Sequence, residues 1–374
     1  MIFVRHLVMT VDDVQSNLDI LEAILENDYD IVSATSGAEV LKYLDSHKTK
    51  PDIILLDVSM PGMDGFELLE ALHANPSLTA SSTGIPVIFV TSEDDVGAEE
   101  RGLELGAVDY IKKPYNEKII PIKIRNHIDL KIYRDKLEEM VYNRTRQLRQ
   151  RTEELSATHS AIIMGMSLLS ESRDKVTGSH LIRIQSLTRL LAEALYRQYP
   201  DMLTRDIVDS ITIYSPLHDV GKVGVPDAVL KKQGRLTSEE FDQMKAHTTD
   251  GGDILRQIAE FLPPGTSQLD IAIEIAESHH ERYDGTGYPN RLSGENIPLS
   301  ARIVSVSDVY DALRSPRSYK LGFTHEEAMN IILKGDGRTE PHHFDPRVLE
   351  AFNSVHVYLR QAYDSNPDPH IGKE

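Results

Sequence analysis

Two regimes of apolar spacing divide the chain. From residue 6 to residue 130, short apolar runs alternate with amphipathic stretches. The runs at 7–11, 29–34, 52–57, 86–91 and 108–112 read as strands. Apolar runs of this length suit strands covered on both faces. Helical spacing fills the intervals near 14–26, 37–48, 65–74, 95–105 and 116–130. Strands alternating with helices predict a doubly wound α/β domain over residues 1–128, built on a five-stranded parallel sheet.

The pattern then changes. Residues 129–162 predict a helical linker: from 131 onward they hold no proline or glycine and much charge. Val141, Leu148, Leu155 and Ile162 recur every seven residues, as in a helix that pairs in a homodimer. The intervening positions Glu138, Thr145, Thr152 and His159 are polar, so a solvated single helix is an equal alternative. Residues 163–360 keep helical spacing, for example Leu181, Ile184, Leu187, Leu191 and Leu195, and predict an all-α bundle. Thr237 and Glu240 form a capping-box pattern that opens one helix. The polar stretch 361–374 reads as a flexible tail.

Composition narrows the chemistry. No apolar run reaches membrane-spanning length, and the N-terminal apolar stretch is too short for a signal peptide, so a cytoplasmic protein is expected. The chain has no cysteine, which excludes disulfides, thiolate metal sites and cysteine nucleophiles. Any metal must be held by carboxylates, water or some of the 15 histidines. A net charge of −19 argues against DNA as a partner.

Three carboxylates, Asp12, Asp13 and Asp57, stand at the C-terminal ends of predicted strands. In a parallel sheet these ends face one crevice. The carboxylates would repel one another unless a hard cation such as Mg²⁺ sat among them. One of them could then attack a phosphoryl donor, with Thr91 and Lys113 holding its oxygens. Val11-Asp12-Asp13, Leu56-Asp57 with Met60-Pro61-Gly62-Met63-Asp64-Gly65, Val90-Thr91-Ser92 and Lys112-Lys113-Pro114 resemble the response-regulator receiver family over about residues 4–128. The resemblance implies that Asp57 is the phosphoacceptor and that Asp12 and Asp13 bind Mg²⁺. It implies a switch pair, Thr91 and Tyr110, a phosphate-binding Lys113, and a sensor histidine kinase as donor.

The second half concentrates His180, His218, His247, His279 and His280, with Asp219 beside His218 and Asp308 in an apolar helical run. A buried carboxylate there needs a cation, or else faces out as an ordinary amphipathic position. Mixed imidazole and carboxylate donors favour transition metals over Mg²⁺ or Ca²⁺. Two such ions can share a hydroxide and clamp a phosphodiester, with no serine or cysteine nucleophile. Lys222, Arg317 and Lys320 could grip phosphate.

His218-Asp219-Val220-Gly221-Lys222 and His279-His280-Glu281-Arg282-Tyr283-Asp284-Gly285-Thr286-Gly287-Tyr288-Pro289 resemble the HD-GYP family of cyclic di-GMP phosphodiesterases. Thr177-Gly178-Ser179-His180 with Arg183, Lys245-Ala246-His247, Ala301-Arg302-Ile303 through Asp308, Asp311-Ala312-Leu313 and Arg317-Ser318-Tyr319-Lys320 extend the match over about 160–355. The resemblance implies an HD-type helical bundle in a bacterial two-component protein. It makes His180, His218, Asp219, His247, His279, His280 and Asp308 ligands of two transition-metal ions per domain, Fe or Mn first, Ni or Zn next. Asp219 would bridge and assist catalysis with Lys222. Lys222, Arg317, Lys320 and Tyr288 would contact the dinucleotide, although the Gly287-Tyr288-Pro289 loop reads equally as a rigid turn. GGDEF-family proteins are among the partners it permits.

Members with three metals carry a glutamate four residues before the first histidine. Here that position is Val176, so a two-metal site ending at the linear product pGpG is expected. Asp174 and Glu171 are close enough in sequence to be substitutes for it, but helical spacing sets them on other parts of the helix. His342 and His343 read as structural. His6, His47, His73, His127, His159, His325, His356 and His370 read as solvated. The alternatives are a catalytically weak sensor or scaffold that binds the dinucleotide, or a hydrolase of cyclic GMP-AMP or of pGpG.

Overall fold

The computed structural model describes residues 5–74, 84–92, 97–173, 178–263, 269–316 and 322–368. Two compact units divide it, Met1–Arg151 and Thr152–Glu374. In the first, β1 (Leu7–Val11), β2 (Asp30–Ala34), β3 (Ile53–Asp57), β4 (Val87–Thr91) and β5 (Asp109–Lys112) form one sheet in the order β2-β1-β3-β4-β5. Every pairing is parallel. Helices α1 (Gln15–Leu25), α2 (Gly37–Ser46), α3 (Gly65–Ala74) and α4 (Ala98–Glu104) connect the strands. β3 and β4 are buried at every position, so they carry continuous apolar runs instead of alternation. Met9, Leu56 and Phe89 pack in one core layer, and Val8, Leu55 and Ile88 in the other. The period-2 geometry of a strand sends neighbours to opposite faces.

Helix α5 runs unbroken from Ile119 to Glu171. It contains the expected boundaries at 128/129 and 162/163, whereas the two units part at Arg151 and Thr152. Val141, Leu148, Leu155 and Ile162 are all exposed along it.

The second unit is helical: α6 (Gly178–Gln198), α7 (Arg205–Tyr214), a 3₁₀ segment (Ser215–Gly224), α8 (Asp227–Leu230), α9 (Ser238–Ala259), α10 (Leu269–Ser278), α11 (Leu299–Arg314), α12 (His325–Lys334), α13 (Pro346–Ser354) and α14 (His356–Asp364). The five spaced residues of α6 from Leu181 to Leu195 are all buried, each contributing about 1.5–3 kcal/mol. α9 opens on the expected capping box. Thr237 Oγ1 accepts the Glu240 N–H, and the Glu240 carboxylate accepts the Thr237 N–H. Among the described residues, no helix is long and apolar enough to cross a membrane.

Glycine at 221 lets the 3₁₀ segment lie directly on α9. A Cβ there would stand 2.0 Å from the His247 carbonyl oxygen and 2.4 Å from the Gly251 nitrogen. Both contacts are backbone, so neither can swing aside. Gly221→Ala is therefore expected to destabilise the second unit by about 1–3 kcal/mol or more. It would also separate the segments that carry His218 and His247. Thermal unfolding and metal retention would both report it.

Two expectations are corrected. Residues 361–368 are docked rather than forming part of a flexible tail: Asn366 and Asp368 accept hydrogen bonds from Arg183, and Pro367 accepts one from Ser179. These contacts are polar, so apolar spacing did not announce them. His325 is buried, hydrogen-bonded to the Tyr310 hydroxyl at 2.8 Å and to His356 at 3.3 Å. Residues 369–374, including His370, lie outside those described.

Candidate active site and metal centre

In the first unit, Asp12 and Asp57 are buried at the strand ends, and their carboxylates with that of Asp13 lie within 4.8 Å of one another. Lys113 Nζ donates to Asp57 at 2.7 Å and to Asp12 at 2.8 Å. Asp12 is further fixed by the Val14 N–H at 2.9 Å and the Asn17 amide at 3.0 Å. Burial, opposed by the Lys113 bonds and aided by Asp12 and Asp13, raises the Asp57 carboxyl above its ordinary range. Thr91 Oγ1 is buried without a hydrogen-bond partner. Tyr110 is half-buried on β5 with Lys123 Nζ 5.0 Å from its ring centre. Asp12, Asp13, Asp57 and Lys113 thus meet at the strand ends, and the three carboxylates form a donor set that fits a hard cation such as Mg²⁺.

The second unit gathers the histidines from four elements. His218 and Asp219 come from the 3₁₀ segment, His247 from α9, His279 and His280 from the end of α10, and His180 from α6. Backbone carbonyls set three tautomers. His218 Nδ1 donates to Ser215 O at 3.0 Å, His247 Nδ1 to Met244 O at 2.7 Å, and His279 Nδ1 to Ile275 O at 3.0 Å. Each Nε2 is therefore left with its lone pair, buried and without a hydrogen-bond partner, as is Asp219 Oδ1. Buried acceptors without partners are costly unless a cation satisfies them. His247 Nε2 and His279 Nε2 lie 3.2 and 3.8 Å from Asp219 Oδ1, and His218 Nε2 lies 3.2 Å from Asp219 Oδ2.

Electrostatics follow the same plan. Burial would raise the Asp219 carboxyl, but Lys222 (2.7 Å away), His218 and His247 hold it well below the usual range. Burial drives His280 down to about 4 and His279 well below its ordinary value, so both are neutral donors. Burial opposes protonation of His218 as well, but with no cation among them Asp219, Asp308 and Glu171 outweigh it and lift it to about 9; a cation at this point displaces that proton and leaves the Nε2 lone pair as a donor. That is where the surrounding carboxylates demand positive charge. Asp308 faces this centre, 3.9 Å from His218 Nε2, and is not an outward amphipathic position.

The ligand atoms of Asp219, His247, His279 and His280 fall within 4.8 Å of one another; Glu171, His180 and His218 make a second such group. The reading that spacing removes Glu171 from the site fails because the helix breaks. Glu171 ends α5, whereas His180 stands in α6. Across the turn, Glu171 Oε1 comes to 3.7 Å from His180 Nε2. Burial pushes its carboxyl up to about 7, against the pull of His180 and His218.

Two supporting residues had no role in the sequence reading. Asp311 accepts from His180 Nδ1 at 2.7 Å and is itself gripped by Arg183 through Nε at 2.5 Å and Nη2 at 3.1 Å. Its spacing of one turn from Asp308 was the available signal. Asp311→Asn is expected to leave the fold intact and weaken metal retention about 10–100-fold, measurable by competition with a chelator. Glu281, from the double-histidine motif, is buried and accepts N–H groups of Asn290 at 2.6 Å and Leu292 at 3.1 Å. It pins the Gly287-Tyr288-Pro289 loop as a rigid turn. The loop's Tyr288 ring also faces His280, 4.8 Å centre to centre.

A cavity of about 930 Å³ opens over the histidines, lined by His279, His280, Tyr288, Lys245, Phe241 and His343. His343 Nδ1 accepts the Glu340 N–H at 3.1 Å, a turn-stabilising role that agrees with the structural reading. Arg317, Lys320, Val176 and Asp174 lie outside the described residues.

Comparison with known proteins finds two families along the chain. Residues 8–125 match the response regulator receiver domain family, and residues 137–348 match the HD domain family. A probable cyclic di-GMP phosphodiesterase of Vibrio cholerae is 39% identical over 92% of this chain and 76% of its own. The cyclic di-GMP phosphodiesterase response regulator RpfG of Xanthomonas campestris is 31% identical over 95% of this chain and 89% of its own. A 3'3'-cGAMP-specific phosphodiesterase of Vibrio cholerae is 38% identical over 53% of this chain and 35% of its own.

Proposed function

The chain belongs to the response-regulator cyclic di-GMP phosphodiesterases, and we propose that phosphorylation of Asp57 controls metal-dependent opening of the dinucleotide to linear pGpG. The observation that carries the catalytic half is the set of buried, unpartnered Nε2 atoms of His218, His247 and His279 gathered 3.2 to 3.8 Å from the Asp219 carboxylate. Seven residues, His180, His218, Asp219, His247, His279, His280 and Asp308, would hold two transition-metal ions, Fe or Mn first. Bound there, the ions supply Lewis acidity that acidifies a water and neutralises charge on the phosphodiester.

The protein's own groups do the positioning. Backbone carbonyls and Asp311 fix the imidazole tautomers before any ligand arrives. Lys222 keeps Asp219 ionised and would meet a phosphate oxygen. Tyr288, above His280, offers one nucleobase a stacking wall. Arg317 and Lys320 would take the second phosphate.

In the receiver, Lys113 would follow the phosphoryl group on Asp57 while Mg²⁺ sits among Asp12, Asp13 and Asp57. Thr91 and Tyr110 would respond to it, and a sensor histidine kinase would supply it. Exposed Val141, Leu148, Leu155 and Ile162 support a homodimer in which this signal changes helix pairing.

The substrate is tested by initial rates on cyclic di-GMP, 3'3'-cGAMP and pGpG with the same Mn²⁺-loaded protein. Cyclic di-GMP is expected to turn over fastest. A faster rate on cGAMP would move the assignment to the substrate named for the shorter-matching relative.

A further inference from the structure

One residue of the cavity wall holds a backbone conformation that its side chain disfavours. Arg291 has a φ of 56°, in the left-handed region, and among the described residues every other position with positive φ is a glycine. Two of those, Gly285 and Gly294, flank Arg291 in the same loop. A Cβ makes this region costly, so an arginine there needs a reason. The turn is pinned. The buried Glu281 carboxylate accepts the N–H groups on both sides of Arg291, from Asn290 at 2.6 Å and from Leu292 at 3.1 Å. The guanidinium is exposed, and among the described residues it makes no ion pair and no side-chain hydrogen bond. The other cations lining the cavity are engaged: Lys245 pairs with Asp242 at 2.9 Å, and Arg282 donates to Thr286 at 3.4 Å. Arg291 stands three residues after Tyr288, and both line the cavity that opens over His279 and His280.

We propose that Arg291 reads guanine, pairing two N–H groups with O6 and N7 of the base that lies against Tyr288. This rests on the dinucleotide reading above and supplies the base discrimination which that reading leaves open. There, the metal ions with Lys222 take one phosphate, and Arg317 with Lys320 takes the other, so neither phosphate calls for Arg291. The base edges have no partner yet. Guanine shows two adjacent acceptors, O6 and N7, that a guanidinium fork matches, whereas adenine puts an N6 donor in place of O6. Facing adenine, the fork loses one bond and sets donor against donor. A pinned turn presents ring and arginine to the cavity from one rigid element, which lowers the ordering cost of binding.

The test is equilibrium binding to full-length, Mn²⁺-loaded protein. The probes are phosphorothioate analogues of cyclic di-GMP and cyclic di-AMP, chosen to resist opening. Wild type is expected to prefer the guanine analogue. Arg291→Gly and Arg291→Ala are each expected to weaken it by about 10-fold or more, the worth of one bidentate base contact. The adenine analogue should change by less than about 2-fold, since it never had that contact. Arg291→Gly relieves the left-handed backbone and is expected to melt higher than Arg291→Ala, which keeps it. Equal weakening of both analogues would make Arg291 a phosphate contact and overturn the proposal. Unchanged binding of the guanine analogue would overturn it too, as would weakening in the glycine variant alone, which would assign the effect to the backbone. Failure of the dinucleotide reading looks different: wild type would then bind neither analogue.

Discussion

Alanine at His218 or at Asp219 is expected to lower metal-dependent cleavage of cyclic di-GMP by about 10³-fold or more. Asp219 lies within 3.2 to 3.8 Å of three imidazole Nε2 atoms and also pairs with Lys222. Removing it leaves those donors with no shared anion and releases the lysine. His218 reaches both ligand groups, since its Nε2 approaches Asp219 and Asp308 while it also belongs with Glu171 and His180. Its loss would open both groups at once. The measurement is kcat/KM at saturating Mn²⁺, with circular dichroism to show that the helices persist. Retained activity in a folded His218→Ala protein would remove this centre from the reaction.

Asp57→Asn is expected to abolish every response to phosphoryl donors and to beryllofluoride. Its carboxylate is the acceptor that Lys113 reaches at 2.7 Å, and an amide neither takes a phosphoryl group nor binds beryllofluoride as a carboxylate does. Because Asp12 keeps its own bond to Lys113, the strand ends should stay ordered. Basal hydrolysis should persist, since His218, Asp219 and their partners lie in the other compact unit. Sedimentation and initial rates with and without beryllofluoride measure the effect. A wild-type protein that changes in neither mass nor rate would leave the receiver without a role in control.

The parts of this molecule that were legible in its sequence are those carried by local pattern. Runs such as Ile53–Asp57 and Val87–Thr91 are strands because both sheet faces are covered. The capping box at Thr237 depends on residues three apart and formed as written. The His-Asp and His-His pairs were recognisable because chemistry fixes their residue types. What local pattern could not show was proximity across a break in the chain. Glu171 looked remote from His180 only if one helix carried both. Arg183 and Asp311 belonged to the motif match without a role of their own until α6 and α11 brought them together around His180. The docked segment 361–368 has only Ala362 and Tyr363 against the helical core and is otherwise held by polar contacts, too little for an apolar period, and His325 is buried by residues that lie far along the chain or one helix away.

The most direct test is a single incubation. Protein purified without chelators, loaded with Mn²⁺ or Fe²⁺, is mixed with cyclic di-GMP and the nucleotides are resolved by chromatography. Loss of cyclic di-GMP with appearance of pGpG, blocked by chelator and restored by added metal, is the expected result. Metal-loaded protein that binds the cyclic dinucleotide tightly and leaves it intact would contradict catalysis and make the chain a sensor.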